Sequence, residues 1–229
     1  MRASYQKDLI VQDDYQLKGE TAHHLLNVVR VAVGDDILLL NGAGLAITTK
    51  VTSLSKKELV LKKIHHSEIK RSFVMDLALG IPKKEALELS LKQAVELGFR
   101  KIFLIRAEYS QIRVPEEERL GNLLVSALEQ SNSAYLPEVI LTDWDKIPSS
   151  DYGQIVMMDS QSLSQKSSNV TKIEARLLIV GPEAGFANDE LALLHKLPGV
   201  NVLNLPTPIL RTPTAVAAGA GVILKSLLD

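Results

Sequence analysis

The stretch Leu177–Gly185, near the C-terminus, reads Leu-Leu-Ile-Val-Gly-Pro-Glu-Ala-Gly. Its apolar half predicts a buried strand, and the Gly-Pro pair that follows predicts a turn. Further along, Ile209–Ala215 reads Ile-Leu-Arg-Thr-Pro-Thr-Ala and predicts the beginning of a final helix. Because glycine lacks a Cβ atom, Gly181 and Gly185 allow backbone groups to approach a ligand closely. Together the two loops predict one cofactor pocket.

An ordinary turn is the alternative interpretation of the Gly-Pro pair, since such pairs usually only reverse the chain. Two common nucleotide-binding patterns are excluded. The sequence contains neither Gly-x-Gly-x-x-Gly after an early strand nor a glycine-rich loop that ends in Lys-Ser or Lys-Thr. The predicted pocket therefore differs in kind from those of dinucleotide-binding and P-loop proteins.

The polar stretch Ser67–Ser72 separates two patterns of sequence. Before it, short strands and turns predict a small β-barrel in residues 1–70. After it, in residues 71–229, apolar strands alternate with amphipathic helices, which is typical of an α/β domain with a parallel sheet. The predicted barrel strands are 36–40, 45–51 and 58–64. The predicted α/β strands are 74–79, 101–105, 154–158, 177–180 and 201–205, with helices at 84–97, 116–130, 188–196 and 213–228. Asn188 and Thr212 are predicted as N-caps.

Composition excludes several kinds of site. The chain has no cysteine, which excludes disulfides, thiolate metal sites and cysteine nucleophiles. The adjacent pairs His23-His24 and His65-His66 diverge on a helix or a strand, so no metal site is predicted. No apolar run approaches a membrane span, and the N-terminus lacks the apolar core of a signal peptide. We therefore expect a cytoplasmic protein with no membrane partner.

Charge gives a weaker indication. The 26 lysines and arginines nearly balance 27 aspartates and glutamates, for a net charge of −1. Phosphate binding would therefore require a local basic patch, for which Lys56-Lys57 with Lys62-Lys63 is the candidate. A solvated hairpin turn is the alternative. The single tryptophan, Trp144, is predicted to lie in a loop.

Five motifs occur in the order, and at spacings compatible with those, of one known family. They are His24–Arg30, Lys92–Gly98, Glu129–Ser131, Gly181–Gly185 and Ile209–Thr212. Through them the chain resembles, nearly end to end, the 16S rRNA (uridine(1498)-N3)-methyltransferases of the SPOUT superfamily. The resemblance implies a C-terminal α/β methyltransferase domain with a trefoil knot, preceded by a PUA-like β-barrel that binds RNA.

The resemblance also implies methyl transfer from S-adenosyl-L-methionine to N3 of a uridine in the 16S rRNA of the small ribosomal subunit. The enzyme is expected to be a homodimer that needs no metal. Arg211 is the predicted catalytic residue, because a cation can stabilise negative charge on the uracil. The predicted cofactor-binding residues are Leu79, Gly181, Pro182, Glu183, Gly185, Leu205, Ile209, Leu210, Thr214 and Ala215. The predicted RNA-binding residues are His24, Arg30, Lys56, Lys57, Glu129 and Gln130.

Some of these roles have simpler alternatives. In one, Arg211 only forms an ion pair with Glu183 or with a helix carboxylate. In another, Glu129 and Gln130 only form the polar end of a helix. The sequence leaves both alternatives open.

The chain also departs from the family pattern. Ala184 replaces a glycine, whereas Pro206, Pro208 and Pro213 replace a glycine, an arginine and a glutamate. The arginine that often follows the Glu-Gln-Ser element is missing at Asn132-Ser133. An RNA-binding or ribosome-assembly protein with altered catalysis on the same fold is therefore the alternative function.

Overall fold

The computed structural model describes residues 1–110, 114–160 and 174–227. The chain forms two compact units. The first contains Met1–Arg71 and Val125–Leu136, and the second contains Ser72–Leu124 and Pro137–Asp229. The sequence-based division at residue 70 placed Val125–Leu136 in the other domain.

The first unit is built on a five-stranded sheet with the strand order β1-β3-β4-β5-β2. Its strands are β1 (Arg2–Tyr5), β2 (Asp14–Lys18), β3 (Asp36–Leu40), β4 (Leu45–Leu54) and β5 (Glu58–Glu68). The pair β1–β3 is parallel and the other pairs are antiparallel. After β2, the short helix α1 (Gly19–His23) continues as a π-helical segment, His24–Val29. Side chains alternate in β2, where Tyr15 and Leu17 are buried and their neighbours are exposed.

The segment Val125–Leu136 joins the first unit through hydrogen bonds to distant residues. The Gly44 N–H donates to the Ala134 carbonyl at 2.9 Å, and the Leu136 N–H donates to the Gly42 carbonyl at 2.9 Å. No local sequence pattern indicates such bonds, because they connect parts of the chain that a division into consecutive domains separates.

The second unit contains a six-stranded sheet with the order β11-β9-β10-β6-β7-β8, in which every pair is parallel. Its strands are β6 (Met75–Gly80), β7 (Lys101–Ile105), β8 (Glu138–Thr142), β9 (Gln154–Met158), β10 (Arg176–Val180) and β11 (Val200–Leu203). Its helices are α2 (Lys84–Glu96), α4 (Asn188–Leu194) and α5 (Thr212–Lys225), and α3 (Glu117–Ser131) begins in this unit, while its part from Val125 onward belongs to the first. All six residues of β6 are buried, as expected for a central strand covered on both faces.

The predicted α/β architecture is confirmed, with β7 and β9 at their predicted bounds. The sequence did not reveal β8, because this edge strand is only partly buried and its apolar run, Val139–Leu141, is only three residues long. Residue 228 of the last predicted helix lies outside the described residues.

Both N-cap predictions were wrong by one residue. Ala187 and Arg211 occupy the N-cap positions, so Asn188 and Thr212 are the first helical residues. The Thr212 hydroxyl is used elsewhere, since it donates to the Gly181 carbonyl at 3.3 Å.

The strand order determines where loops converge. Because the strands are parallel, their carboxyl ends lie at one edge of the sheet, where ligand sites of such sheets commonly occur. Strands β9 and β10 are neighbours, and β11 pairs with β9. The chain segments that follow these three strands are thus brought together at this edge.

Candidate functional site

A cleft of about 170 Å³ lies at the carboxyl edge of the parallel sheet. It is formed by the segments that follow β9, β10 and β11, together with the first turn of α5. Eight of the predicted cofactor-binding residues line it: Gly181, Pro182, Glu183, Gly185, Leu205, Ile209, Leu210 and Ala215. The structure therefore joins the two loops that the sequence predicted to form one pocket.

Three other predicted residues do not line the cleft. Leu79 is fully buried in β6, paired in register with Val180. Thr214 is exposed in the first turn of α5. Arg211 is exposed at the N-cap of the same helix, directly after the lining residue Leu210. The catalytic role of Arg211 and the cofactor contacts of Leu79 and Thr214 stay predictions.

The two loop glycines are required for different reasons. A Cβ atom at Gly181 would lie 3.2 Å from Cζ of Phe186, so glycine makes room for this ring. Gly185 has a φ of +77°, and a Cβ atom there would meet nothing within 4 Å. Its backbone conformation therefore requires glycine. Since Gly185 lines the cleft, a side chain at this position would project into open space beside it.

Glu183 connects the loop after β10 to the beginning of α2. Its two carboxylate oxygens accept a hydrogen bond from the Lys83 N–H, at 3.0 and 3.2 Å. Lys83 is the N-cap residue of α2, where a negative charge interacts favourably with the helix dipole. Glu183 thus binds a helix N-terminus, and within the described ranges Arg211 forms no ion pair with it.

The loop after β10 and the segment between β6 and α2 also pack closely against each other. A Cβ atom at Gly80, the last residue of β6, would lie 2.6 Å from Cδ of Pro182. Only glycine fits at this position. The contact and the Glu183 hydrogen bond together fix the loop after β10 against the segment that leads into α2.

Sequence reasoning missed the part of the cleft contributed by β9. Met158, Asp159 and Ser160 line it, and the Asp159 N–H donates to the Leu203 carbonyl at 3.2 Å. Nearby, the Asn204 side-chain amide donates to the Ser160 carbonyl at 3.2 Å. A signal was available, because β9 was predicted and the residues that follow a parallel strand lie at the site edge.

Trp144 was predicted to lie in a loop, and the sequence did not indicate a contribution to the site. It begins a one-turn 3₁₀ helix, and only 6% of its surface is exposed. Its ring meets Phe186 edge to face, with 5.6 Å between centroids and 63° between planes. Phe186 lines the cleft. The tryptophan therefore supports one wall of the site from behind.

The predicted RNA-binding residues all belong to the first unit. Five of them are exposed: His24, Arg30, Lys56, Lys57 and Gln130. Arg30 ends the π-helical segment with a φ of +59°, which is uncommon for a residue with a side chain. Glu129 is half-buried and accepts the Tyr5 N–H at 2.8 Å, a contact within the first unit, and its role in RNA binding stays a prediction.

The basic patch is partly neutralised. The Lys63 ammonium lies 2.8 Å from a carboxylate oxygen of Asp13 and lowers the pKa of that carboxyl group. Lys56, Lys57 and Lys62 remain exposed.

Among residues 1–110, 114–160 and 174–227, no group of three or more histidine, aspartate or glutamate side chains is arranged to hold a metal ion. No helix in these ranges is long and apolar enough to cross a membrane.

Comparison with known proteins agrees with this geometry. The chain is 28% identical over 204 residues to the ribosomal RNA small subunit methyltransferase E of Rickettsia conorii, covering 84% of this chain and 82% of the relative. It is 27% identical over 225 residues to the protein of the same name from Bacillus subtilis, covering 88% and 86%.

Solved structures give the same result. A ribosomal RNA small subunit methyltransferase E from Neisseria gonorrhoeae, crystallised with S-adenosyl methionine, superposes with a TM-score of 0.85 at 25% identity, covering 99% of this chain and 98% of that one. A putative methyltransferase from Legionella pneumophila shares the fold, with a TM-score of 0.82 at 23% identity, covering 98% of this chain and 97% of that one.

Two family models match consecutive parts of the chain. The RNA methyltransferase PUA domain matches residues 17–64, within the stretch predicted to form the barrel. The RNA methyltransferase domain matches residues 69–224, which include the parallel sheet and the cleft. Fold, site and sequence thus lead to one conclusion: the chain belongs to the RNA methyltransferase family.

Proposed function

We propose that this protein transfers a methyl group from S-adenosyl-L-methionine to N3 of a specific uridine in the 16S rRNA of the small ribosomal subunit, of the uridine 1498 type. The observation that carries the proposal is the convergence of the loops 181–185 and 205–210 in one cleft. A family of RNA methyltransferases requires a cofactor site, and this cleft unites the residues predicted to form it. The trefoil knot implied by the resemblance belongs to the same proposal.

The cleft has the chemistry expected of a site for this cofactor. Glycine backbone and apolar side chains, among them Leu205 and Leu210, can surround an adenine and the methionine chain of the cofactor. The open space at Gly185 lets main-chain groups approach a ligand without a Cβ atom between them. No metal ligand is required for such binding.

Bound S-adenosylmethionine supplies a sulfonium methyl group that is already activated for transfer. Transfer to N3 would break the S–C bond of the cofactor and would require the imide proton of the uracil to leave to solvent. The protein must hold the base in line with the methyl group, and positioning of this kind contributes several kcal/mol. It must also favour the anionic imide.

Arg211 is the proposed group that favours this anion. It lies at the N-cap of α5 with an exposed side chain, next to the cleft residue Leu210. No ion pair neutralises it within the described ranges, so its charge is available to a ligand. A helix N-terminus adds further preference for negative charge.

We also propose that the first unit recruits the RNA and that the enzyme acts as a cytoplasmic homodimer. The exposed residues His24, Arg30, Lys56 and Lys57 are the proposed RNA contacts.

For the dimer, the supporting feature is the outer side of α5. A Cβ atom at Gly221 would meet no atom within 4 Å, and Val222 is 41% exposed. Light scattering at micromolar concentration tests this, and a strict monomer would contradict it.

Primer extension tests the reaction itself. Small subunits from a strain that lacks the gene are incubated with the protein and the cofactor. A methyl group at N3 blocks the Watson–Crick edge, so reverse transcriptase should stop at one uridine. Methylation at another atom, or at many sites, would contradict the proposal.

The second candidate is an RNA-binding or ribosome-assembly protein with altered catalysis. It is favoured by the prolines at 206 and 208, which replace a glycine and an arginine of the family pattern in the second loop. Calorimetry distinguishes the two. Binding of the small subunit without binding of S-adenosylmethionine would favour the second candidate.

A further inference from the structure

Glu190 has an unusual set of partners for an acidic residue in the first turn of a helix. One carboxylate oxygen, Oε1, accepts the Trp144 indole N–H at 2.8 Å and the Glu108 main-chain N–H at 3.0 Å. The other oxygen, Oε2, accepts the Ala187 N–H at 2.8 Å. The bond to Ala187 is an ordinary helix cap. The bonds to Oε1 have no role in capping, because their donors lie outside α4.

The three donors come from three separate loops. Glu108 follows β7, Trp144 follows β8 and Ala187 follows β10. Only the edge of the sheet brings these loops together, and Glu190 is the common acceptor. Hydrogen bonds to a charged acceptor are stronger than neutral ones. The carboxylate therefore holds three otherwise independent segments in one arrangement.

The segment that contains Trp144 contacts the wall of the cleft. The Trp144 ring packs edge to face against Phe186, which lines the cleft. The Phe186 ring also occupies the space beside Gly181, where a Cβ atom would lie 3.2 Å from it. Any displacement of Trp144 would thus allow the aromatic wall of the cleft to move.

We propose that Glu190 is a positioning residue that fixes Phe186 in the wall of the cofactor cleft by holding Trp144 in place. This inference rests on the proposed function, because it treats the cleft as the site of S-adenosylmethionine. Glu190 is predicted to act on binding of the cofactor and not on recognition of the RNA. Its own side chain is not among the residues that line the cleft.

The molecule contains its own probe of this arrangement. Trp144 is the only tryptophan in the chain, so tryptophan fluorescence, excited at a wavelength that tyrosine does not absorb, reports on this position alone. We expect addition of S-adenosylmethionine to change the emission of the parent protein, since the ligand would contact Phe186 and the indole lies directly behind it. Loss of the bond to Glu190 should make the indole more accessible to acrylamide.

The experiment compares Glu190→Gln and Trp144→Phe with the parent protein. The first substitution retains the size of the side chain but faces an NH₂ group toward one of the donors. The second keeps an aromatic ring but removes the indole N–H together with the fused five-membered ring. We expect both variants to bind S-adenosylmethionine about tenfold more weakly in calorimetry, because the wall of the cleft is no longer held in place before the ligand binds. The KM for the cofactor should rise while the KM for small subunits stays unchanged.

Asp189→Asn is the matched control, because it removes the same charge one residue earlier in the same helical turn from an exposed side chain. It should behave as the parent protein does. If Glu190→Gln and Trp144→Phe bind the cofactor with parent affinity, the inference is wrong. If the parent protein itself binds no cofactor, the proposed function has failed. Should Glu190→Gln not fold, parent affinity in Trp144→Phe would still refute the inference.

Discussion

Replacing Asp76 should destabilise the protein without changing its affinity for the cofactor. Asp76 is completely buried at the amino end of β6. Its carboxylate accepts two hydrogen bonds from the Arg100 guanidinium, at 3.1 and 2.6 Å, one from the Lys101 N–H at 3.0 Å and one from the Tyr152 hydroxyl at 2.7 Å. All four donors lose their acceptor in Asp76→Ala.

The expected cost follows from what remains buried. Removing one partner of a buried ion pair typically costs about 3–5 kcal/mol. The Arg100 side chain is 37% exposed and can turn toward water, whereas Tyr152 is 4% exposed and cannot. We therefore expect a value at the lower end, about 3 kcal/mol. For a chain of this size this corresponds to a decrease in Tm of about 6–12 °C.

Thermal unfolding followed by circular dichroism measures this change. Asp143→Ala is the control, because it breaks the exposed ion pair with Lys146 in the same unit, and such pairs contribute little. Calorimetry well below the Tm should show parent affinity for S-adenosylmethionine, since Asp76 lies at the opposite end of β6 from the cleft. A Tm within 2 °C of the parent value for Asp76→Ala would refute the reasoning.

Three further predictions concern the cleft and the buried network. Gly185→Ala should weaken cofactor binding at least tenfold, because alanine disfavours the positive φ and adds a Cβ atom beside the cleft; Gly121→Ala, on the exposed side of α3, should leave binding unchanged in the same calorimetry. Arg211→Ala should lower single-turnover methyl transfer roughly a hundredfold with cofactor affinity retained, and Arg211→Lys should not restore the rate fully; parent rates in Arg211→Ala would make this residue structural. The pKa of Tyr152 is raised, mainly by burial and next by the hydrogen bond to Asp76. The contribution of the Tyr152 hydroxyl to stability is therefore complete below about pH 10 and is lost as the pH rises further. Urea unfolding from pH 8 to 11 should show this loss in the parent protein and not in Tyr152→Phe, and equal profiles would contradict the assignment.

The parts of the structure that the sequence predicted are those with local causes. The strands Lys101–Ile105 and Gln154–Met158 are apolar runs, and their bounds match. The helix Lys84–Glu96 has apolar residues at helical spacing and ends before Gly98, which has a positive φ. The two loops of the cleft were found because their glycine and proline residues indicate turns.

The parts that the sequence did not reveal depend on distant partners. Glu183 and Lys83 are 100 positions apart, and Glu190 and Trp144 are 46 positions apart. Nothing in the neighbourhood of either glutamate indicates its donor. In the sequence Asp76 is likewise only a polar residue in an apolar strand, and nothing near it indicates its partners Arg100 and Tyr152.

The strand order also has a consequence for synthesis on the ribosome. Strands β7 and β8 can complete one side of β6 soon after it emerges, but its other neighbour is β10, where Arg176 pairs with Met75. At about 5–20 residues per second, β10 follows β6 by roughly 5–20 s. During this time the nascent chain carries an unpaired edge of six residues that are all buried in the finished protein. An edge of this kind pairs readily with other chains, so folding of this protein in the cell should depend on chaperones that bind nascent chains.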